Sequence, residues 1–182
     1  MTAARSLIHE HQTRPIDPRA LRRVCGLFVT GVTVITTAAD GRADGTTVNS
    51  FTSVSLDPPL VLFCLHRHSR LQELLTASGG FTVNFLSGQQ EKLARAFAGR
   101  QPEGFPDTPC HDGVTGLPVL SEALAFLTCT TVAVHAGGDH DIIVGEVVEL
   151  GIPQQDEEPL IFYAGALGVL DGELAPASRR AS

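Results

Sequence analysis

Strand-forming runs follow one another along this chain with turn signals, rather than helices, between most of them, and that succession narrows the possible folds most. Val32-Thr33-Val34-Ile35-Thr36-Thr37 is β-branched throughout, and Asp40-Gly41 behind it signals a tight turn, so the chain doubles back as a hairpin. The returning strand enters Gly45 to Pro59, an alternating stretch dense in Ser and Thr that stops at a double proline. Leu60 to Leu65 is a continuous apolar run and reads as a strand buried on both faces. Phe81 to Leu86 is another strand, Ala123–His135 and His140–Leu150 form a long hairpin around Gly137-Gly138-Asp139, and Leu160 to Tyr163 is the last. There is no βαβ alternation, and the apolar strand surface exceeds what one small sheet can bury. A mainly β fold is therefore predicted: an antiparallel barrel, closed or nearly so, with a few short flanking helices. The strands are long for the chain, so one face is expected to be covered by a second subunit, in a homodimer.

Helical signals are few. Asp17-Pro18 reads as an N-cap followed by proline at the first helical position, and Leu21, Val24, Cys25 and Phe28 recur at helical spacing, which predicts a helix ending before Gly31. Ser69 is placed to cap a short helix through Leu71, Leu74 and Leu75 that Gly79-Gly80 breaks, and Gln89 to Ala98 is amphipathic. Gly99 to Pro118 reads as a long irregular loop. Residues 1–16 are expected to be an arm, 17–170 the single domain, and 171–182 a polar tail.

Composition removes several function classes. A hydrophobic content of 43% with slightly positive mean hydropathy excludes a disordered chain, while no run approaches the roughly 18 apolar residues of a membrane span. A net charge of -7 argues against a nucleic-acid partner, which needs a clustered positive field. Met1 to His11 lack the apolar core of a signal peptide, and the four cysteines show no C-x-x-C pair, so a cytoplasmic chain with reduced thiols is expected. A zinc reading through His66, His68 and Cys64 fails because alternate strand residues face opposite sides, and no metal is assigned.

Three segments have chemistry to offer. Gly45 to Pro59 presents hydroxyls in an extended frame, where the two-sided amide of Asn49, beside Thr47 and Ser50, can read a heterocycle edge while Ser53 or Ser55 reaches a phosphate. His66-Arg67-His68-Ser69-Arg70 lies at a strand-to-helix junction suited to an anion. Gly137-Gly138-Asp139 explains itself as a turn, but turn chemistry does not require the His140 that follows. No G-x-G-x-x-G follows a strand, so a nicotinamide cofactor would bind without a Rossmann fold. Nor does a clear pair of arginines for a 2′-phosphate stand out.

Taken together, Gly31 to Thr37, Gly45 to Pro59, Val83 to Leu86, Gly137 to His140 with Val144 to Val147, and Pro159 to Tyr163 resemble the flavin reductase-like family, which has the FMN-binding split-barrel fold. The resemblance implies hydride transfer from NADH or NADPH to free FMN or FAD, with the reduced flavin supplied to a partner monooxygenase. It implies that Thr47, Asn49, Ser50 and Phe51 line the isoalloxazine ring. Ser53, Ser55, Arg67 and Ser69 would approach the ribityl phosphate, Val48, Thr52 and Asn84 complete the cofactor-binding set, and His140 would bind or orient the nicotinamide nucleotide. Such proteins often carry a basic or aromatic residue after the last strand, where this chain has Ala164-Gly165-Ala166-Leu167. The alternative is a flavin-binding split-barrel module without reductase activity. A split-barrel oxidase acting on a pyridoxine-type phosphate is disfavoured by the few basic residues.

Overall fold

A computed structural model describes residues 15–99, 108–153 and 157–169. The expected arm and tail lie almost wholly outside these residues. The chain runs α1 (Pro18–Cys25), β1 (Thr30–Gly31), β2 (Thr33–Ala39), β3 (Arg42–Val48), β4 (Thr52–Leu56), β5 (Pro59–His66), α2 (Leu71–Ser78) and β6 (Gly80–Phe85). A short 3₁₀ turn leads into α3 (Glu91–Ala98), followed by β7 (Cys110–Asp112), β8 (Pro118–Leu120), β9 (Ala125–Gly137), β10 (His140–Gly151), β11 (Leu160–Tyr163) and β12 (Ala166–Val169).

Seven strands form one antiparallel sheet in the order β3-β2-β6-β9-β10-β5-β4. Its two edge strands, β3 and β4, are consecutive in the chain and separated only by Asn49, Ser50 and Phe51. Laid flat, six inter-strand steps would hold those edges about 29 Å apart. The four Cα steps from Val48 to Thr52 span at most about 14 Å. The sheet therefore rolls up, which is the barrel expected from the sequence. A ladder does not seal the seam. Instead the Ser50 hydroxyl donates to the Cys64 carbonyl at 3.2 Å and accepts from the Cys64 N–H at 3.0 Å, tying the crossing segment to β5.

Both predicted hairpins form. In the first, Asp40 and Gly41 both take positive φ, +53° and +72°, the two-residue geometry whose twist matches the flanking strands. In the second, Gly137 pairs with His140 across Gly138-Asp139. Alternation along β2 divides two cores. Ile35 faces inward onto Phe63, Phe81, Val83 and Ile143, whereas Val34 faces outward onto Leu86, Ala94, Phe97, Leu120 and Leu160. Cys129 lies in the inner core, where burial pushes its thiol up to about 12 and leaves it a protonated, unreactive hydrophobe.

One expectation holds and one is corrected. The first helix begins as predicted, with Asp17 Oδ1 accepting the Arg19 N–H at 3.0 Å, and ends at Cys25, before Gly31, with none of its residues buried. Leu21, Val24, Leu27 and Phe28 are exposed, so the helical spacing marks a face that the described residues leave uncovered. The irregular loop contains a small β7–β8 ladder, Cys110 opposite Leu120 and Asp112 opposite Pro118, and residues 100–107 lie outside the described set. The strands there are too short to show alternation.

Asn84 takes a different place from the one implied for it. It is fully buried on β6, its Nδ2 donates to the Val34 carbonyl and the Thr36 hydroxyl at 3.1 and 3.0 Å, and its Oδ1 accepts the Leu120 N–H at 2.9 Å. Its amide joins β2, β6 and β8 and has no face left for a ligand. Asn84→Ala leaves a cavity and an orphaned Leu120 N–H, and should lower the free energy of unfolding by about 3 kcal/mol in a urea titration. A loss under about 1 kcal/mol would show that this network is not needed.

Candidate functional site

Along the outer side of β3 runs a groove of three cavities. At one end, about 660 Å³ is bounded by Asp44, His66, His68, Ser69, Arg70 and Ala98. The middle cavity, about 260 Å³, is bounded by Thr47, Val48, Asn49, Ala98, Phe162 and Leu167. At the far end, about 810 Å³ lies between α1 and the β11–β12 turn, against Arg22, Arg23, Asn49, Phe162, Ala164 and Gly165. Ala98 borders the first two cavities, and Asn49, Phe162 and Gly165 border the last two.

Packing sets the walls. Gly45 lies beneath the Phe97 ring, where a Cβ would stand 2.8 Å from Cε1 and 3.0 Å from the Ile35 carbonyl, so α3 can approach β3 only over a glycine. One turn earlier in α3, the Thr47 hydroxyl donates to the Ala94 carbonyl at 2.7 Å. These contacts hold Ala98 above Thr47 to Asn49. The Ser69 hydroxyl accepts the Leu71 N–H at 3.3 Å at the start of α2, and Arg70 reaches Asp44 at 4.0 Å. The Arg70 side chain is half-exposed there, at the edge of the cavity.

His140 stands at this same end but lines none of the three cavities. Its Nδ1 is 2.7 Å from Asp139 Oδ1, and its ring packs edge-on to His66 at 5.1 Å between centroids. The hydrogen bond to His140 lowers the pKa of the exposed Asp139 carboxyl, which favours the carboxylate and so orients the imidazole. With Nδ1 engaged, Nε2 is the nitrogen available to a ligand.

The structure brings Thr47, Val48, Asn49 and Ser69 to the groove and sends the other expected residues elsewhere. Ser50 serves the seam, and Phe51 packs edge-on to Phe85 at 5.0 Å against the inner core. Thr52 and Ser53 are exposed on the edge strand β4, while the Ser55 hydroxyl accepts the Asp57 N–H in the turn before β5. Arg67 turns away to Asp141, 3.1 Å, and its neighbour Arg70 takes the position at the cavity. Sequence reasoning marked the whole His66–Arg70 loop as suited to an anion and named Arg67 and Ser69 from it; the structure sets Ser69 and Arg70 at the cavity and pairs Arg67 with Asp141. Sequence reasoning gave no role to α1, Phe162, Ala164 or Gly165, which only the fold brings against Asn49.

Among the described residues no group of three or more His, Cys, Asp or Glu side chains could hold a metal ion. The groove instead joins a polar end to a middle walled by small, apolar and hydroxyl-bearing residues, which suits a flat heterocycle carrying a phosphate.

Residues 25–171 match the family model described as a flavin reductase like domain. The chain belongs to the flavin reductase-like family. Within this family it is 41% identical over 151 residues to the reductase subunit HsaB of a flavin-dependent monooxygenase from Mycobacterium tuberculosis, covering 82% of this chain and 81% of that protein. It is 39% identical over 159 residues to an NADH-dependent flavin reductase from a Rhodococcus species, covering 86% and 88%. Among solved structures it superposes on the NADH:FAD oxidoreductase SgcE6 of Streptomyces globisporus, in complex with NAD and FAD fragments, with a TM-score of 0.81. That pair is 37% identical, with 89% of this chain and 99% of that chain covered.

Proposed function

We infer that this protein is an NADH-dependent flavin reductase that supplies reduced flavin to a separate monooxygenase. The observation that carries the inference is the cavity along Thr47 to Asn49, with a polar cavity at Ser69–Arg70 beyond Ala98, in a chain of this family. The names of its relatives support NADH as reductant and FMN or FAD as acceptor. When bound, the nicotinamide nucleotide would supply a hydride and the flavin would accept it at N5, and the protein would hold the two rings in reach of one another.

The work of the protein is to position. Thr47, Val48 and Asn49 form the floor for the flavin ring, with Phe162 and Leu167 opposite. Ser69 and Arg70, with His66 and His68 beside them, hold the phosphate end, where charge-assisted hydrogen bonds are strongest. Any backbone N–H group left free beside the ring would offer a fixed dipole for charge that develops during reduction, without an acidic side chain. Purified protein should oxidise NADH only when FMN or FAD is added, followed as loss of nicotinamide absorbance. No turnover with either flavin and either nicotinamide nucleotide would leave a flavin-binding module.

His140 is assigned to the nicotinamide nucleotide, with Nε2 as the acceptor for an amide or hydroxyl hydrogen. His140→Ala should raise the KM for NADH about tenfold, the value of one hydrogen bond in a partly shielded site, with less change in kcat. An effect confined to flavin affinity would reassign His140 to the phosphate end, through its contact with His66.

A homodimer is proposed from the apolar side chains this chain leaves open. On α1 and the segment after it these are Leu21, Val24, Leu27 and Phe28, and on the sheet Leu56, Val132, Val134 and Leu150, with Leu56 90% exposed. Exposed apolar surface on this scale marks an interface. Light scattering on the eluting protein should give twice 19.3 kDa, and a monomer at all concentrations would refute the assignment.

A further inference from the structure

We propose that His66 is a positioning residue for His140, through which a phosphate held at the Ser69–Arg70 cavity strengthens the hold of His140 on its own ligand. The proposal rests on the reductase reading and adds to it a coupling between the two ligands. His66 borders that cavity, whereas His140 borders none of the three. Yet the two histidines are directly opposite at the end of the β5–β10 ladder, with ring centroids 5.1 Å apart at 79°. His66 also anchors the loop that leads to Ser69. Its carbonyl accepts the Ser69 N–H at 2.8 Å and its Nδ1 accepts the His68 N–H at 3.1 Å, while the next residue, Arg67, donates its N–H to the Asp139 carbonyl at 3.1 Å. His66 therefore stands between the anion end and the His140 ring.

Hydrogen-bond partners set the two rings in opposite tautomers. A backbone N–H can only donate, so Nδ1 of His66 is bare and the proton of its neutral ring is on Nε2. The Asp139 carboxylate can only accept, so Nδ1 of His140 carries a proton and Nε2 of the neutral ring is bare. His66 thus has one free donor, Nε2–H, on the residue that borders the cavity. A phosphate oxygen that accepts it fixes the ring, and a fixed ring limits rotation of the imidazole packed edge-on against it. His140 then loses less freedom when it takes up its own ligand, which gives positive coupling without a change of fold. Capping the loop uses Nδ1 and the carbonyl of His66, and has no use for the Nε2–H or for the contact with His140.

Two measurements on the full chain test the assignment. Long-range proton–nitrogen correlation spectra should show His66 protonated at Nε2 and His140 at Nδ1, and the same tautomer on both rings overturns the proposal. NAD+ is then titrated calorimetrically into protein saturated with FMN and into protein saturated with riboflavin, which lacks the phosphate. Wild type should bind NAD+ about fivefold more tightly in the FMN form, the effect of one side chain already immobilised. His66→Asn keeps an acceptor for the His68 N–H, as asparagine does in turns, but has neither the Nε2–H nor the ring. It should bind NAD+ equally in both forms. His66→Gln supplies an N–H without a ring, so it should hold FMN more tightly than His66→Asn and still show no difference between the forms. Equal NAD+ affinity in the two wild-type forms, or a difference that survives in either variant, overturns the coupling. Coupling without NADH oxidation would end the reductase reading and leave the role of His66 standing, whereas NADH oxidation without coupling would do the reverse.

Discussion

Because β3 and β4 are the two outer strands of one seven-stranded sheet and yet are joined by only Asn49, Ser50 and Phe51, the sheet has no choice but to curl. Everything at the candidate site follows from that short crossing. It brings the end of β3 against β5 and the loop after it, so that Thr47 to Asn49 and Ser69-Arg70 border one groove although some twenty residues part them in sequence. Its middle residue spends its hydroxyl on both backbone groups of Cys64. Ser50 is therefore next to the site and essential to its shape without facing it.

The outer core makes the groove a rigid wall rather than a loose edge. β2 and β6 are buried on both faces, and the Asn84 amide locks them to β8 beneath the layer that supports α3. A buried polar network with every member satisfied fixes register in a way that apolar packing alone does not. The same logic explains why a residue of the right chemical type for a ligand can be absent from the ligand site: an amide buried among backbone donors and acceptors is consumed by them.

Much of the fold was legible because strands with one or two buried faces write their period into the chain. Val32 to Thr37, the Asp40-Gly41 turn and the Gly137–His140 hairpin all stand where periodicity and turn chemistry place them. The candidate site was legible only in part, because a hydroxyl-rich strand does not say which of its hydroxyls face a ligand. Ser55 and Thr47 read alike in sequence, yet one caps a turn and the other binds a helix carbonyl at the groove wall. Arg67 and Arg70 are equally basic, and the choice between them depends on Asp141, which arrives from β10 more than seventy residues later. The approach of α1 to the β11–β12 turn, with Ala164 N–H donating to the Gly26 carbonyl at 2.7 Å, leaves no local signature.

The missing side chain at Gly45 has a bearing on the groove wall. Since Phe97 rests directly on that backbone, the separation of α3 and β3 is fixed by the thickness of an aromatic ring over a peptide, and not by any group that could swing aside. Any side chain introduced at Gly45 would have to lift α3 off the sheet, and with it the Ala98 that borders Thr47 to Asn49.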